Sequence, residues 1–298
     1  IINCMNNSVF SITILCLAVG LRIVSNCMSN VYQKKLTSKA IDPLFINALT
    51  YTMLSVLCLP FVFVTGLFEA EKGFWLYAVL VGIFGALGNG FLIKALKNGD
   101  LSILGPINAY KPIVSIIFAV ILLKEIPNLW GILGILLVVA GSYFVLNTTE
   151  EKFSFALLKN KEIRYRFLSL FFCGTEAVFI KKTILLSSVE NAFIAWCFFG
   201  ALFSLSLLGF ARIDLKEQIP VFEKKNLFFV AGIILCVGVM QFTTNFVFRL
   251  IDVAYALSLF QLGAILSVVL GWKYFREKHI LVRLSLIHIS EPTRLALI

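Results

Sequence analysis

Long apolar runs separated by short polar intervals dominate the pattern of this chain. A run of about 20 apolar residues crosses the roughly 30 Å of hydrocarbon in a bilayer as an α-helix. The pattern predicts nine such spans, at roughly residues 9–33, 43–67, 73–97, 101–124, 128–147, 163–186, 190–211, 226–249 and 253–275. We therefore expect an all-α polytopic membrane protein.

The composition narrows the functional classes. The chain is 60% hydrophobic and only 14% charged, whereas soluble domains are about half apolar and a quarter charged. The net charge of +10 lies mostly between the apolar runs, which favours membrane lipid headgroups as partners and not nucleic acid. The seven Cys and two His show no metal-ligand spacing, and no P-loop, GxSxG or HExxH motif occurs. We expect no enzyme activity, metal or cofactor.

The two halves of the chain resemble each other. Asp100–Glu125 and Asp252–Glu277 each begin with Asp and end with a basic residue followed by Glu, at an offset of 152 residues. "VYQKKL" at Val31–Leu36 is echoed by "VFIKKT" at Val178–Thr183. Five helices per half is an odd number, so the second half would be inserted upside down. Inverted repeats of this kind are frequent in transporters, with the substrate site between them near the midplane.

This repeat predicts the domain organisation. Residues 5–147 form the first five-helix repeat, 148–162 the linker, and 163–283 a second repeat truncated after four helices. Residues 284–298 begin where a tenth helix is due, yet "LSLIHISEPTR" resembles a translated sequencing adapter. We predict a non-native tail in place of that helix, and a start of the natural protein at Met5.

Three ionisable residues lie well inside predicted spans, where a charge is costly and therefore a candidate for function. Arg22 shares a polar helix face with Asn26 and Asn30, which indicates either a wet cavity or a hydrogen-bonded seam between helices. Lys111 lies between two prolines that interrupt its helix, and it either binds substrate or pairs with Glu176. Glu176 itself is the candidate for proton coupling, with a site near the membrane interface as the alternative.

Further polar residues in the spans complete the candidate substrate site. Each alone is more typical of a hydrogen bond between helices, and together they predict a polar cavity. The candidate substrate-binding residues are Arg22, Asn26, Asn30, Asn89, Asn108, Lys111, Gln241, Asn245, Tyr255 and Gln261. We expect no catalytic residue among them.

Several segments resemble the drug/metabolite transporter superfamily, and the EamA-like branch in particular. They are the "YQKKL" and "FIKKT" helix ends, the stretch "GALGNGFLIKALKNGDLSILGPINAYKPIVSIIFAVILLKE" and the stretch "YALSLFQLGAILSVVLGWKYFREK". The resemblance implies a ten-helix (5+5) inverted-repeat carrier, here with its tenth helix missing or replaced. It also implies alternating access in a bacterial cytoplasmic membrane.

The function expected from this resemblance is secondary transport of a small polar or amphipathic metabolite, with Glu176 as a proton-coupling residue. A membrane scaffold or partner-binding subunit without transport is the alternative. The resemblance implies cytoplasmic termini, whereas the bias of Lys and Arg between the spans predicts the opposite orientation. Neither argument fixes the oligomeric state, and a monomer is one expectation.

Overall fold

The fold is built from helices. The computed structural model describes residues 2–129, 131–134, 136–137 and 159–277, with side chains from residue 12 onward except that of Pro106. These residues form ten α-helices and short 3-10 segments, and the described part contains no strand. The helices are α1 (Ile2–Thr37), α2 (Pro43–Val62), α3 (Lys72–Asn98), α4 (Leu101–Ile107), α5 (Lys111–Leu122), α6 (Lys161–Leu186), α7 (Val189–Phe210), α8 (Lys224–Leu250), α9 (Val253–Leu259) and α10 (Gly263–Phe275). The predicted tail at 284–298 lies outside the described residues.

The described helices confirm an all-α polytopic membrane protein. Seven are long and apolar enough to cross a bilayer: Ile12–Thr37, Pro43–Val62, Lys72–Asn98, Leu101–Leu122, Val189–Phe210, Lys224–Leu250 and Val253–Phe275. The 26-residue helix α6 has the length of a span but carries Arg166, Glu176 and Lys181. Helical residues at 129, 131–134 and 136–137 coincide with the start of the predicted fifth span.

Side-chain caps set where several helices begin. The Asp42 carboxylate accepts a hydrogen bond from the backbone N–H of Leu44 at 2.8 Å, with Pro43 at the first position of α2. Asn160 caps α6, and Ser188 caps α7. These residue types satisfy N–H groups that a helix start leaves unpaired. The caps therefore mark where α2, α6 and α7 begin.

The second helix is shorter than expected. The pattern predicts a span to residue 67, but α2 ends at Val62. Gly66 adopts a left-handed conformation with φ of 64°, and a 3-10 turn at Leu67–Glu69 follows. The apolar pattern continues through this turn, so hydrophobicity alone overestimates the helix.

The fourth span of each half is a broken helix. A 3-10 segment at Asn108–Tyr110 separates α4 from α5, and another at Phe260–Leu262 separates α9 from α10. Every one of these helix starts is related to its counterpart by the 152-residue offset. The first break was predicted from Pro106 and Pro112, whereas the second contains no proline and was not predicted.

The helices pack in pairs that mirror each other between the halves. Helix α1 packs on α8 as α6 packs on α3, α4 contacts α10 as α9 contacts α5, and α2 contacts α7. Small residues on α3 allow neighbouring helices to approach closely. A Cβ on Gly82 would lie 2.3 Å from the Phe199 Cβ, and one on Gly88 would lie 2.5 Å from the Cys173 Sγ. Only glycine fits there, so α3 is pressed against α6 and α7.

One end of the helix bundle, here called the Lys34 end, is closed by an ion pair. Lys34 Nζ at the end of α1 lies 3.0 Å from Glu277 Oε1, just after α10. The same carboxylate accepts hydrogen bonds from the backbone N–H groups of Leu101 (2.8 Å) and Ser102 (2.9 Å) at the start of α4. Burial alone would raise the pKa of Glu277, but Ser102 and Lys34 together hold it below its ordinary value.

The opposite end, here called the Lys181 end, carries a looser version of this arrangement. Lys181 Nζ lies 3.6 Å from Glu125 Oε1, and Glu125 Oε2 accepts a 3.0 Å hydrogen bond from the backbone N–H of Val253. Lys181 also donates to the carbonyl oxygens of Phe248 and Ile251 at the end of α8. Burial raises the pKa of Glu125 above its ordinary value, against opposing contributions from Val253 and Lys181.

Candidate functional site: a polar cavity between the helices

An internal cavity collects polar side chains from α1, α3, α5, α6 and α8 and from the 3-10 segment after α4. Its polar lining consists of Arg22, Asn26, Asn30, Asn89, Asn108, Lys111, Arg166, Ser169, Cys173, Glu176, Gln241 and Thr244. The cavity volume is about 60 Å³. One water needs about 10–15 Å³ of such volume, so in this conformation the cavity has room for a few waters. A bound metabolite would require the surrounding helices to move.

The predicted polar face of α1 lines this cavity. Arg22 is 6% exposed, and its guanidinium carbon lies 4.1 Å from the centroid of the Phe260 ring. Its Nε donates a 3.4 Å hydrogen bond to the hydroxyl of Thr244 on α8. Both contacts are to neutral groups, so the charge of Arg22 remains available to a ligand in the cavity.

The break between α4 and α5 brings two further predicted residues to the cavity. Lys111 is the first residue of α5, and Asn108 opens the preceding 3-10 segment. The Asn108 amide donates to Gln261 Oε1 at 3.2 Å, and Gln261 in turn donates to the Leu257 carbonyl at 2.9 Å. Gln261 is therefore not on the cavity wall, and it orients Asn108 from the second broken helix.

Glu176 lines the cavity. It is buried, and its Oε1 accepts a 2.7 Å hydrogen bond from the indole N–H of Trp196. A Cβ on Gly85 would lie 2.6 Å from the same oxygen, so the glycine makes room for this carboxylate. The Tyr51 ring packs on Trp196 with centroids 4.5 Å apart, and the Asn89 amide donates to the Tyr51 hydroxyl at 2.8 Å. This network fixes the position of Glu176.

Two other predicted residues lie outside the cavity lining. Asn245 is fully buried between helices, where its amide is hydrogen-bonded to that of Gln241 at 2.9 Å. Tyr255 packs against Gly131, and its hydroxyl accepts a 3.1 Å hydrogen bond from the backbone N–H of Asn128. Tyr255 is near the start of α9, where it contacts the fifth span. Polarity in a span does not distinguish such packing contacts from a cavity wall.

The sequence interpretation did not include Arg166, which lies near the start of the predicted span at 163–186, among the candidate site residues. Arg166 lies in the first turns of α6, is 7% exposed and donates from Nε to the Leu104 carbonyl at 3.0 Å. Successive spacings of three, four and three residues separate Arg166, Ser169, Cys173 and Glu176, which places all four on one helix face. That spacing was the available signal for a cavity-lining arginine.

The cavity lining is chemically mixed. It combines amides, hydroxyls, three cations and one carboxylate in a confined space. Within the described part of the chain, Arg22, Lys111 and Arg166 form no ion pair. Among the described residues there is no group of three or more His, Cys, Asp or Glu that could hold a metal ion. Such a lining can hold a polar solute by charge and hydrogen bonds.

Comparisons with known proteins agree with this architecture. A solved crystal structure shares the fold with a TM-score of 0.67 and 17% sequence identity, covering 96% of this chain and 97% of that chain. Comparison with curated proteins gives no match. Residues 12–147 match the EamA-like transporter family. The chain is therefore a multi-pass membrane protein that carries an EamA-like transporter domain.

Proposed function

We propose that the protein is a secondary transporter that moves a small polar or amphipathic metabolite across the membrane. One observation carries the proposal: eight of the eleven predicted site residues meet at a single internal cavity. Those eight are Arg22, Asn26, Asn30, Asn89, Asn108, Lys111, Glu176 and Gln241. A scaffold protein needs no such convergence, because its polar residues would serve separate helix contacts.

We further propose that the chain consists of two inverted repeats, 5–147 and 163–283, that alternate around this cavity. The mirrored packing of α1 on α8 and of α6 on α3 supports this division. So do the paired ion bridges, in which the lysine at the end of the first helix of one repeat meets the glutamate after the fourth span of the other. We expect the protein to reside in a bacterial cytoplasmic membrane.

The two ion pairs suggest how access alternates. The Lys34–Glu277 pair ties α1 and α10 to the start of α4, and the Lys181–Glu125 pair ties α6 and the residues after α5 to α9. Each pair joins the two proposed repeats at one end of the bundle. Rupture of one pair with retention of the other would open the cavity to one side only.

The experiment that tests transport is flux into proteoliposomes. The purified full chain is reconstituted and offered a pooled panel of labelled anionic, neutral, zwitterionic and cationic metabolites, with and without a pH gradient. We expect saturable uptake of at least one compound. Absence of saturable flux for every compound, in vesicles that contain folded protein, would contradict the transporter proposal and favour the scaffold alternative.

Proton coupling by Glu176 has its own test. Glu176→Gln keeps the shape of the side chain and an oxygen that can accept from Trp196, but it cannot release a proton. We expect the variant to lose uptake driven by a pH gradient while it retains exchange of substrate across the membrane. The matched control is Glu223→Gln. Glu223 is exposed and pairs with Lys225 at 2.7 Å. An unchanged pH response of Glu176→Gln would exclude this role.

A further inference from the structure

We propose that the cavity binds a small organic acid in its anionic form, held by Arg22, Lys111 and Arg166. This inference rests on the proposed transport function, because it names the class of compound that the same cavity would carry. A polar lining alone would accept ligands of any charge, whereas the excess of positive side chains around this cavity favours a negatively charged ligand.

The lining carries more positive than negative charge. Three cations and one carboxylate face the cavity, and the carboxylate of Glu176 already accepts a hydrogen bond from Trp196. Lys111 interacts electrostatically with Glu176, but it also faces repulsion from Arg22 and Arg166. Buried charges without a partner are costly. An anion in the cavity would relieve this cost, whereas a cationic ligand would increase it.

The existing contacts of the cations leave donors for a ligand. Arg22 uses Nε for the Thr244 hydroxyl, and Arg166 uses Nε for the Leu104 carbonyl. A guanidinium has five N–H donors in a planar fork that matches a carboxylate. Both arginines can therefore keep their protein contacts and still donate to an anionic oxygen.

Asn30 favours organic acids that carry a hydroxyl group. Its side chain faces the cavity, is 9% exposed, and has an amide oxygen with no hydrogen-bond partner in the described residues. A buried acceptor of this kind is stabilised when a donor reaches it. A hydroxyl group on the ligand would supply that donor. We therefore expect hydroxy acids to bind more tightly than the same acids without the hydroxyl.

The test is equilibrium binding to the full chain in detergent micelles at constant ionic strength. The probes are radiolabelled malate, succinate as its analogue without the hydroxyl, glycerol as a neutral polyol, and putrescine as a dication. We expect saturable binding in the order malate, succinate, then glycerol and putrescine. Malate binding no tighter than glycerol binding would overturn the inference.

Charge variants assign the binding to the cavity. Lys111→Gln should weaken malate binding about tenfold or more, as expected for a lost charge-assisted contact. Lys111→Arg retains the charge and should restore most of the affinity, which separates a binding role from a folding defect. Lys225→Gln removes one positive charge from the exposed surface and should leave binding unchanged. Equal weakening by Lys225→Gln and Lys111→Gln would also overturn the inference.

Binding and flux together separate this inference from the transport proposal. Saturable malate binding without flux of any compound would support the anion site and contradict transport. Flux of a neutral or cationic metabolite without anion binding would support transport and contradict the anion site.

Discussion

The two ends of the bundle are built from equivalent residues but differ in how tightly they are held. At the Lys34 end the ion pair is 3.0 Å long, and Glu277 also accepts from two backbone N–H groups. At the Lys181 end the pair is 3.6 Å long, and Glu125 accepts from one backbone N–H. Each glutamate follows a residue in left-handed conformation, Lys124 with φ of 58° and Arg276 with φ of 52°.

The difference shows how similar sequence segments can serve unequal roles. Lys181 donates to two carbonyl oxygens as well as to Glu125, so its charge is shared with the end of α8. Lys34 instead donates to Glu277 and lies 4.5 Å from the centroid of the Phe275 ring. We infer that the Lys34 end depends more on its carboxylate than the Lys181 end does.

The largest expected effect comes from Glu277→Gln. The change leaves Lys34 buried without a carboxylate and weakens the bonds to Leu101 and Ser102. We expect the free energy of unfolding to fall by about 3 kcal/mol, as for a buried pair that loses one partner. Denaturation of the purified protein in mixed micelles measures it. A loss similar to that of the surface control Glu223→Gln would show that the pair does not hold this end.

Glu125→Gln should have a smaller effect. Lys181 retains its two carbonyl acceptors, and the glutamine oxygen can still accept from the Val253 N–H. We expect a loss of about 1 kcal/mol in the same denaturation experiment. A loss that equals or exceeds that of Glu277→Gln would reverse the proposed ranking of the two ends.

The smallest effect concerns protonation. The pKa of Glu125 is raised and that of Glu277 is lowered relative to an ordinary glutamate. As the pH falls, Glu125 should therefore take up its proton first, and the Lys181 pair should weaken while the Lys34 pair persists. Carboxyl carbon-13 NMR in micelles, assigned with the two Gln variants, follows each titration. Titration of Glu277 at the higher pH would contradict the comparison.

Much of the fold was predictable from the sequence because bilayer thickness dictates the length of apolar runs. The correspondence between the fourth spans of the two halves was also visible in the sequence, since the 152-residue offset relates the start of each segment of the broken helix. The break at Phe260–Leu262 was not predicted, because the segment contains no proline. The end of α2 was missed because the chain turns at Gly66 without any change in hydrophobicity.

The sequence predicted the candidate site best at its ionisable residues. Arg22, Lys111 and Glu176 are conspicuous in apolar spans, and the structure places all three at one cavity. Asn245 and Tyr255 look equivalent in the sequence but serve helix contacts, since one-dimensional patterns cannot tell which neighbour a polar face meets. Arg166 was missed because it lies one turn into α6, where the apolar run has barely begun.

One-sided labelling of Cys173 measures whether access to the cavity alternates between the two ends of the bundle. Cys173 lines the cavity, and a variant that keeps it while the other six cysteines become alanine provides a single reporter. A membrane-impermeant maleimide is applied to vesicles of each orientation. We predict that Glu277→Gln accelerates labelling from the Lys34 side and Glu125→Gln accelerates it from the Lys181 side. The increase should be tenfold for each ~1.4 kcal/mol shift between states. Acceleration from the same side by both variants, or from neither side, would contradict alternating access at the two ends.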